Sequence, residues 1–339
     1  MIVRRLRVVA AVVLAWSCGS GEQTSSDGGP DDVTVLDQFA ADAMTTDAGV
    51  ADVAPEAGPA CTPSKPFGAM TLVAELGAAN SGVSGARISS DALTVYFAGA
   101  QDSTGNGAIQ SATRDASTSA FGEPSPFFTT ADAAVTGLYP TLTSDALTLY
   151  TQVNPGGYVQ LDYATRASAN SNWGAAAGIP GLSGSAPNHG APFVQGDDSA
   201  LWYGARVAPD GGPTLGTFSL DIFEGHISGP GQITSLTAVP ELDTPFDETC
   251  PVVSTDGRVV FFGRKTDADG GASATYHVFT ATRTSSTSAF GTPVLVPELD
   301  DAPTTNTRPT AISKDGCVIF LESDRGGPLG AIYAAKRPL

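Results

Sequence analysis

The stretch ISKDGCVIFL at residues 312–321 joins a short polar turn to a run of apolar, strand-forming residues. The same pattern returns as VSTDGRVVFF at 253–262, LTSDALTLY at 142–150 and ISSDALTVYF at 88–97. A weaker copy reads VQGDDSALWY at 194–203. Aspartate and glycine favour tight turns, and β-branched and aromatic residues favour strands. The chain is therefore predicted to repeat one β-hairpin unit five times.

An aspartate lies in the turn of each copy and serves as the anchor of the repeat. The anchors are Asp91, Asp145, Asp198, Asp256 and Asp315, at intervals of 54, 53, 58 and 59 residues. A tyrosine or phenylalanine follows each anchor five positions later. Five equivalent positions indicate a shared task in folding, so these aspartates are predicted to stabilise turns. No catalytic residue is assigned.

The whole repeat unit is clearest in the fourth copy. Strands are predicted there at 249–253, 259–262, 276–281 and 294–296, separated by turns and polar loops. Four strands in a unit of about 56 residues, repeated side by side, are typical of a β-propeller blade. A single blade cannot bury both of its faces, so the blades must assemble to be stable.

The chain is predicted to be an all-β protein with a five-bladed β-propeller at 61–339; a six-bladed ring is the alternative. The stretch FGAMTLV at 67–73 has the pattern of a fourth strand but precedes the first turn. The last copy stops after its third strand, at 333–336. The N-terminal strand is therefore expected to complete the last blade, which would remove exposed sheet edges.

The repeat resembles the WD40-like PD40 propeller repeat of the TolB-type family. The resemblance rests on a Ser-x-Asp-Gly turn, an aromatic strand and a following Ser-Asp-Arg-Gly-Gly, seen best in SKDG at 313–316 and SDRGG at 323–327. It covers about residues 65–339. It implies a propeller scaffold and a place in the bacterial cell envelope. It implies no activity, because this fold hosts many functions.

Residues 1–17 have the features of a signal peptide. Three arginines precede an apolar run at 8–15, which is too short to span a bilayer. The stretch LAWSCGS at 14–20 resembles a bacterial lipobox, in which the cysteine becomes the lipidated first residue. Cys18 is therefore predicted to carry a lipid anchor. Ordinary cleavage after Ser17 is the alternative.

Residues 18–60 are predicted to form a disordered tether behind that anchor. The segment 19–60 holds nine acidic residues and no lysine or arginine, and large apolar side chains are few. Burial could not offset the entropy cost of ordering such a segment, and its like charges repel one another. The protein is accordingly expected to be an exported lipoprotein of the outer membrane, cell surface or periplasm.

The charge of the chain limits its partners. Its 35 Asp and Glu against 17 Lys and Arg give a formal net charge of −18. Nucleic-acid binding and electrostatic docking on anionic lipid both need a basic face. We therefore predict no nucleic-acid partner, contact with a membrane only through the lipid anchor, no cofactor and a monomeric state.

The remaining cysteines are Cys61, Cys250 and Cys317. In an exported protein two of them should form a disulfide. Cys61 precedes the predicted closing strand, and Cys317 lies in the blade that this strand would complete, so a Cys61–Cys317 bridge is expected. A Cys250–Cys317 bridge and free buried thiols are the alternatives. The sequence has no CxxC motif, so no metal site is predicted.

Charged residues in the loops between strands are the candidate binding face. They are Arg206, Asp247, Arg264, Asp267, Asp269, Asp301, Arg308 and Arg325. The sequence contains no recognisable catalytic motif. The preferred interpretation is a non-enzymatic scaffold that binds an envelope protein or a glycan. A glycoside hydrolase or lyase with two loop carboxylates is one alternative, and a purely structural envelope protein is another.

Overall fold

The computed structural model describes residues 61–78, 81–132, 135–155, 158–183, 188–206, 219–266, 275–300 and 304–339. The signal peptide, Cys18 and the acidic segment lie outside the described residues. So do three of the candidate face residues, Asp267, Asp269 and Asp301. Within the described ranges no helix has the length and apolar character needed to cross a membrane.

The regular structure of the described residues is almost entirely β. Twenty strands occur with two single-turn 3-10 helices, Ala74–Leu76 and Pro297–Leu299. The strands are β1 (Thr71–Leu72), β2 (Ser84–Ile88), β3 (Thr94–Gln101), β4 (Gly107–Thr113), β5 (Ser125–Pro126), β6 (Thr136–Leu142), β7 (Thr148–Val153), β8 (Gln160–Thr165), β9 (Ala177–Gly178), β10 (His189–Val194), β11 (Ala200–Arg206), β12 (Leu220–Gly229), β13 (Gln232–Ala238), β14 (Glu248–Val253), β15 (Val259–Thr266), β16 (Thr275–Thr282), β17 (Val294–Leu295), β18 (Thr307–Ile312), β19 (Val318–Ser323) and β20 (Ala331–Lys336).

These strands form five antiparallel units of four. The units are β2-β3-β4-β5, β6-β7-β8-β9, β10-β11-β12-β13, β14-β15-β16-β17 and β18-β19-β20-β1. A short pairing of β4 with β6 joins the first two units into one eight-stranded sheet. The sequence therefore predicted the all-β class and the four-stranded unit correctly. The paired segment of β17 is shorter than the predicted 294–296.

Neighbouring units pack against each other through apolar side chains of their inner strands, whereas the short outer strands are largely exposed. In β15, Val260, Phe261 and Phe262 are all buried, with successive side chains on opposite faces. Five core clusters link successive units. Their members include Ile109 with Leu149, Leu161 with Leu201, Trp202 with Phe262, Phe261 with Leu321, and Phe320 with Phe97. The last cluster joins the final unit to the first.

The N-terminal segment completes the last unit, as the sequence indicated. Thr71 and Leu72 of β1 pair with Ala334 and Tyr333 of β20. A disulfide also joins Cys61 to Cys317 across 256 residues of sequence. This bridge is the first of the pairings considered from sequence. Cys250, the third cysteine of the described chain, is a buried free thiol.

A repeated arginine shows that this segment replaces a fourth strand. At the end of the third strand, Arg114, Arg166 and Arg283 each bond a turn carbonyl through Nε and cover an aromatic ring seven residues later. Arg337 does the same in the last unit, but its ring is that of Phe67, 4.1 Å away. Phe67 thus occupies the place of Phe121, Trp173 and Phe290.

The anchor aspartates stabilise their own turns. Ser313 Oγ donates to Asp315 Oδ1 at 2.6 Å, and the same carboxylate oxygen accepts the Cys317 N–H at 3.0 Å. Gly316 follows with φ of 70°, a conformation that glycine adopts without strain. Asp91, Asp145 and Asp256 make the same pair of bonds.

The structure corrects the third anchor by one residue. Asp197 holds that turn, because its Oδ1 accepts from the N–H and hydroxyl of Ser199. Asp198 occupies the next, left-handed position with φ of 59°. Its carboxylate accepts from the N–H and hydroxyl of Ser144 in the preceding unit. Asp198 therefore links two units instead of closing its own turn, a difference that the doubled aspartate concealed.

Candidate functional site

A cavity of about 280 Å³ opens at the loop end of the first strands of the units. The side chains that line it come from all five units. They include Gln101, Tyr139, Gln152, His189, Arg206, Tyr276, Arg308 and Glu322. The set combines phenol, amide, imidazole, guanidinium and carboxylate groups, so the cavity is suited to a polar ligand.

The first strand of each unit contains a β-bulge, which turns side chains toward the cavity. The strand pairing shifts register between Leu138 and Thr141, and comparable shifts occur in β2, β10, β14 and β18. Tyr139 takes the left-handed conformation, with φ of 52°, immediately before a proline. Ala191 and Cys250 do the same before their own prolines. Bulges of this kind re-aim side chains.

Glu322 is the centre of the polar contacts in this cavity. Its Oε1 accepts from Arg308 Nη2 at 2.7 Å. Its Oε2 accepts from the Tyr139 hydroxyl and from the Gly85 N–H, each at 3.2 Å. Three donors therefore hold one carboxylate in place, and the arginine balances its charge.

The aromatic groups around this pair remain neutral at physiological pH. Burial raises the pKa of Tyr139 well above its ordinary value. Burial likewise raises the pKa of Tyr276, whose hydroxyl lies 3.2 Å from Asp247 Oδ2. Arg308 stays charged, because its Nη2 donates to the Glu322 carboxylate. The Arg308 guanidinium lies 5.2 Å from the Tyr276 ring centre. The cavity thus presents neutral hydrogen-bonding phenols beside a fixed cation.

His189 forms another part of the wall. It is 6% exposed, and its ring packs edge-on against Tyr203 with 5.5 Å between ring centres. Burial lowers the pKa of His189 to about 4. Nδ1 of this neutral imidazole has no hydrogen-bond partner among the described residues. The wall of the cavity therefore contains a neutral imidazole with one ring nitrogen that the described residues leave without a hydrogen bond.

Two of the face residues chosen from sequence line the cavity, Arg206 and Arg308. Asp247 lies beside it, bonded to Tyr276 and to the Leu220 N–H. Arg264 instead pairs with Glu248 at 2.8 Å and covers the Phe279 ring. Arg325 covers the Tyr333 ring at 5.0 Å. These last two are packed into their units and support the fold.

Four lining residues were not predicted from the sequence: Glu322, Tyr139, His189 and Gln152. Each lies within a strand and not in a loop. One available signal was the proline that follows Tyr139, because a proline in an inner strand marks a bulge. Glu322 is the only carboxylate among the described residues that line the cavity. Those residues therefore provide no second carboxylate for glycoside hydrolysis.

Another buried acid lies outside the cavity lining. Burial raises the pKa of Glu248 to about 7, although Thr244 and Arg264 donate hydrogen bonds to its carboxylate. Asp243 lies close by, and burial raises its pKa to about 6. Both acids belong to the start of the fourth unit. Among the described residues no group of acidic, histidine or cysteine side chains is arranged to hold a metal ion.

The fold defines the chain as a β-propeller-type protein. Three of the solved structures to which the chain is similar are the following. TolB from Acinetobacter baumannii is 12% identical, with 76% of this chain and 55% of that chain covered and a TM-score of 0.40. A putative TolB from Agrobacterium tumefaciens is 15% identical over 74% of this chain and 73% of its own, with a TM-score of 0.43. An endo-arabinase from Bacteroides thetaiotaomicron is 11% identical over 76% of this chain and 94% of its own, with a TM-score of 0.50.

This chain thus spans little more than half of the Acinetobacter TolB. No protein-family model matches the sequence. No curated protein matches it either. At such low identities the structural likenesses concern the fold alone.

Proposed function

We propose that this protein is an exported lipoprotein of the bacterial cell envelope whose five-bladed β-propeller binds a glycan or a protein through the cavity at its loop end. The observation that carries the proposal is that cavity of about 280 Å³, with polar side chains from all five units directed into it. A scaffold that only filled space would close its centre with apolar groups.

The grouping of the described strands into five units of four supports a ring of five blades. The five core clusters link each four-stranded unit to the next, and one of them joins Phe320 of the last unit to Phe97 of the first. In a ring of this kind each blade is covered on both faces by its neighbours. Because β1 and the disulfide complete the last unit, the ring would be closed by the two ends of the propeller segment.

The cavity sets limits on the ligand. Its volume lies near the lower end of the roughly 300–1,000 Å³ typical of ligand pockets. It therefore accommodates one sugar ring or the end of a polypeptide. Tyr276 offers an aromatic ring with a hydroxyl, and Arg206 offers a cation at the rim. Hydroxyl-rich and carboxylate-bearing groups match this combination of donors.

Export is supported by the disulfide, since such bonds persist in oxidising compartments. A signal peptide followed by Cys18 and an acidic segment fits a propeller held at a distance from a membrane. Lipidation is tested by expressing the Cys18→Ala chain and separating membrane from supernatant. We expect the variant to leave the membrane fraction; membrane association equal to that of the unmodified chain would contradict anchoring.

Ligand binding is tested with the full chain carrying Cys18→Ala, which is applied to a glycan array and used to capture proteins from an envelope extract. Arg206→Ala is the test variant, because Arg206 lines the cavity. Arg258→Ala is the matched control, because Arg258 lies on an exposed turn with a 57% exposed side chain. We expect Arg206→Ala to weaken retention at least about tenfold, a loss typical of one hydrogen bond to a charged group, and Arg258→Ala to leave it unchanged.

Equal retention by the two variants would show that the cavity is not the binding site. If neither glycans nor envelope proteins were retained above background, the binding function itself would be rejected. The release of shortened sugars from a retained glycan would support the hydrolase alternative instead.

A further inference from the structure

The opposite end of the ring has a second, smaller cavity. The first strands of the units run from the loop end to the anchor turns, and this cavity of about 90 Å³ lies among those turns. Its lining includes Arg87, Thr141, Phe193, Ser144, Asp198 and Lys314. It is therefore separate from the loop-end cavity, which involves none of these six residues.

Arg87 is one of the residues that line this cavity, and its buried guanidinium group makes fewer hydrogen bonds than it can. The residue is 3% exposed. Nη2 donates to the Pro192 carbonyl at 2.7 Å, whereas Nε and Nη1 have no hydrogen-bond partner among the described residues. The guanidinium lies 5.3 Å from the Phe193 ring centre and 5.7 Å from that of Tyr139. Buried N–H groups of a cation are costly when left unpaired.

No carboxylate of the described chain forms an ion pair with Arg87. The charge of Glu322 acts on Arg87 from a distance. The hydrogen bonds of Glu322, however, go to Arg308, Tyr139 and Gly85. Glu322 is thus the partner of Arg308, and it leaves the Arg87 cation without an anion in contact.

The repeat shows that folding does not require an arginine at this position. Arg87 pairs in register with Tyr96, the aromatic residue five positions after the anchor. The four equivalent pairs are Thr141 with Tyr150, Phe193 with Trp202, Val252 with Phe261, and Ala311 with Phe320. The other units thus have neutral residues at this position. A charge placed there once in five units points to a task outside folding.

We propose that the turn-end cavity binds a small oxyanion, a carboxylate or a phosphate, with Arg87 as the anchoring cation. Guanidinium groups favour these anions, because charge-assisted hydrogen bonds to their oxygens are strong. A volume of about 90 Å³ exceeds the roughly 30 Å³ share of one water molecule and suits an anion of a few heavy atoms.

Charged side chains of both signs lie at the mouth of this cavity. Lys314 is exposed at the rim and adds a second positive charge. Asp198 opposes an anion, but the N–H and hydroxyl of Ser144 occupy its carboxylate. The two cations outnumber this single carboxylate. Lys314 therefore assists entry of the anion, and Arg87 determines its affinity.

The test is thermal unfolding of the full chain carrying Cys18→Ala. Sodium chloride is replaced stepwise by sodium phosphate or by sodium acetate at constant ionic strength. A ligand that binds only the folded state raises the melting temperature with the logarithm of its concentration. We expect such a rise with at least one of the two oxyanions. A rise with phosphate alone would assign the site to phosphate groups, and a rise with acetate alone to carboxylates.

Arg87→Met keeps much of the side-chain volume and removes the charge. We expect it to weaken the apparent affinity for the anion at least about tenfold, the loss of a charge-assisted hydrogen bond. In chloride alone it should be at least as stable as the parent, since an unpaired buried cation is gone. Arg258→Met, on the exposed turn, makes the same change of charge and should respond to the anion like the parent.

Lys314→Ala keeps the test decisive if Arg87→Met does not fold. This exposed residue can be changed without disturbing the core, and its loss should weaken anion binding about threefold, as for an exposed charge pair. No rise of the parent with either oxyanion over chloride would overturn the proposal. An equal rise of the melting temperature in the parent and in Arg87→Met would also overturn it. If Arg87→Met does not fold, an equal rise in the parent and in Lys314→Ala would have the same consequence.

Discussion

Removing the Cys61–Cys317 disulfide should cost more stability than any other covalent change in the propeller. The bridge closes a loop across 256 residues of sequence. In the chain-entropy model the stabilisation grows with the logarithm of loop length and reaches about 4.7 kcal/mol for 100 residues. Extending the same relation to this loop gives about 5.5 kcal/mol. Measured values usually fall below such estimates, so we expect the loss to be about 3–5 kcal/mol.

The non-covalent contacts of the same segment determine how well it stays in place once the disulfide is removed. Without the bridge, residues 61–72 keep several contacts, which include the two-residue pairing of β1 with β20 and the side chain of Phe67, 4% exposed beneath Arg337. A buried phenylalanine contributes about 1.5–3 kcal/mol. These contacts should keep the segment docked in native conditions but let it detach early in unfolding.

The assay is urea unfolding of the oxidised parent against the Cys61→Ala/Cys317→Ala variant. Hydrogen exchange at Thr71 and Leu72 provides a local readout. The single variant Cys61→Ala should lose as much stability as the double variant, because one bridge needs both sulfurs. Cys250→Ala is the control, because Cys250 is a free thiol. This variant should still be stabilised when the Cys61–Cys317 disulfide forms. A difference below about 1 kcal/mol between parent and double variant would refute the loop-closure argument.

Three further predictions concern single side chains. Asp256→Ala should lower the free energy of unfolding by about 1–2 kcal/mol in urea titrations, because its bonds to Ser254 Oγ and the Arg258 N–H are lost; no loss would show that the turn forms without them. Arg283→Lys should lose about 1 kcal/mol in the same assay, because lysine cannot both bond the Gly257 carbonyl and cover Phe290; full stability would contradict this role. The pKa of His189 is lowered from 6.5 to about 4, so the unfolded chain binds the proton first and stability falls as pH drops from about 6.5 to 4. His189→Gln should remove up to ~3 kcal/mol of that fall in unfolding measured across this pH range, and an unchanged pH profile would refute the assignment.

The repeat made much of the fold predictable. The turn aspartate, the aromatic five residues later and the spacing of the copies are local features, and they reveal the four-stranded unit directly. The third unit was harder, because its doubled aspartate hid the true anchor, Asp197. Its long strands Leu220–Gly229 and Gln232–Ala238 have no counterpart of that length in the other copies. The prediction depends on comparing the copies, so it is least accurate for the third unit, whose sequence differs most from the others.

The site was less predictable, because charge in a loop is a poor guide to the centre of a ring. Arg264 and Arg325 are loop-flanking cations, yet each covers an aromatic ring inside its own unit. Glu322 follows the apolar run VIFL and has the sequence pattern of a strand residue. It becomes central only because bulges in the inner strands bring Tyr139 and Gly85 to its carboxylate. Those contacts join residues more than 180 positions apart, so no local pattern contains them.

The repeat can nevertheless locate the site when differences between copies are considered. Seven residues after the turn aspartate, now with Asp197 as the third anchor, the five units have Ala98, Gln152, Gly204, Gly263 and Glu322. Three of these are small, which leaves the centre open, and the two long polar side chains both line the loop-end cavity. The same reasoning singles out Arg87 among neutral equivalents at the other end of the ring. In a protein built from copies, positions that agree report the requirements of folding. Positions where one copy adds a buried polar or charged group are the places to test for binding.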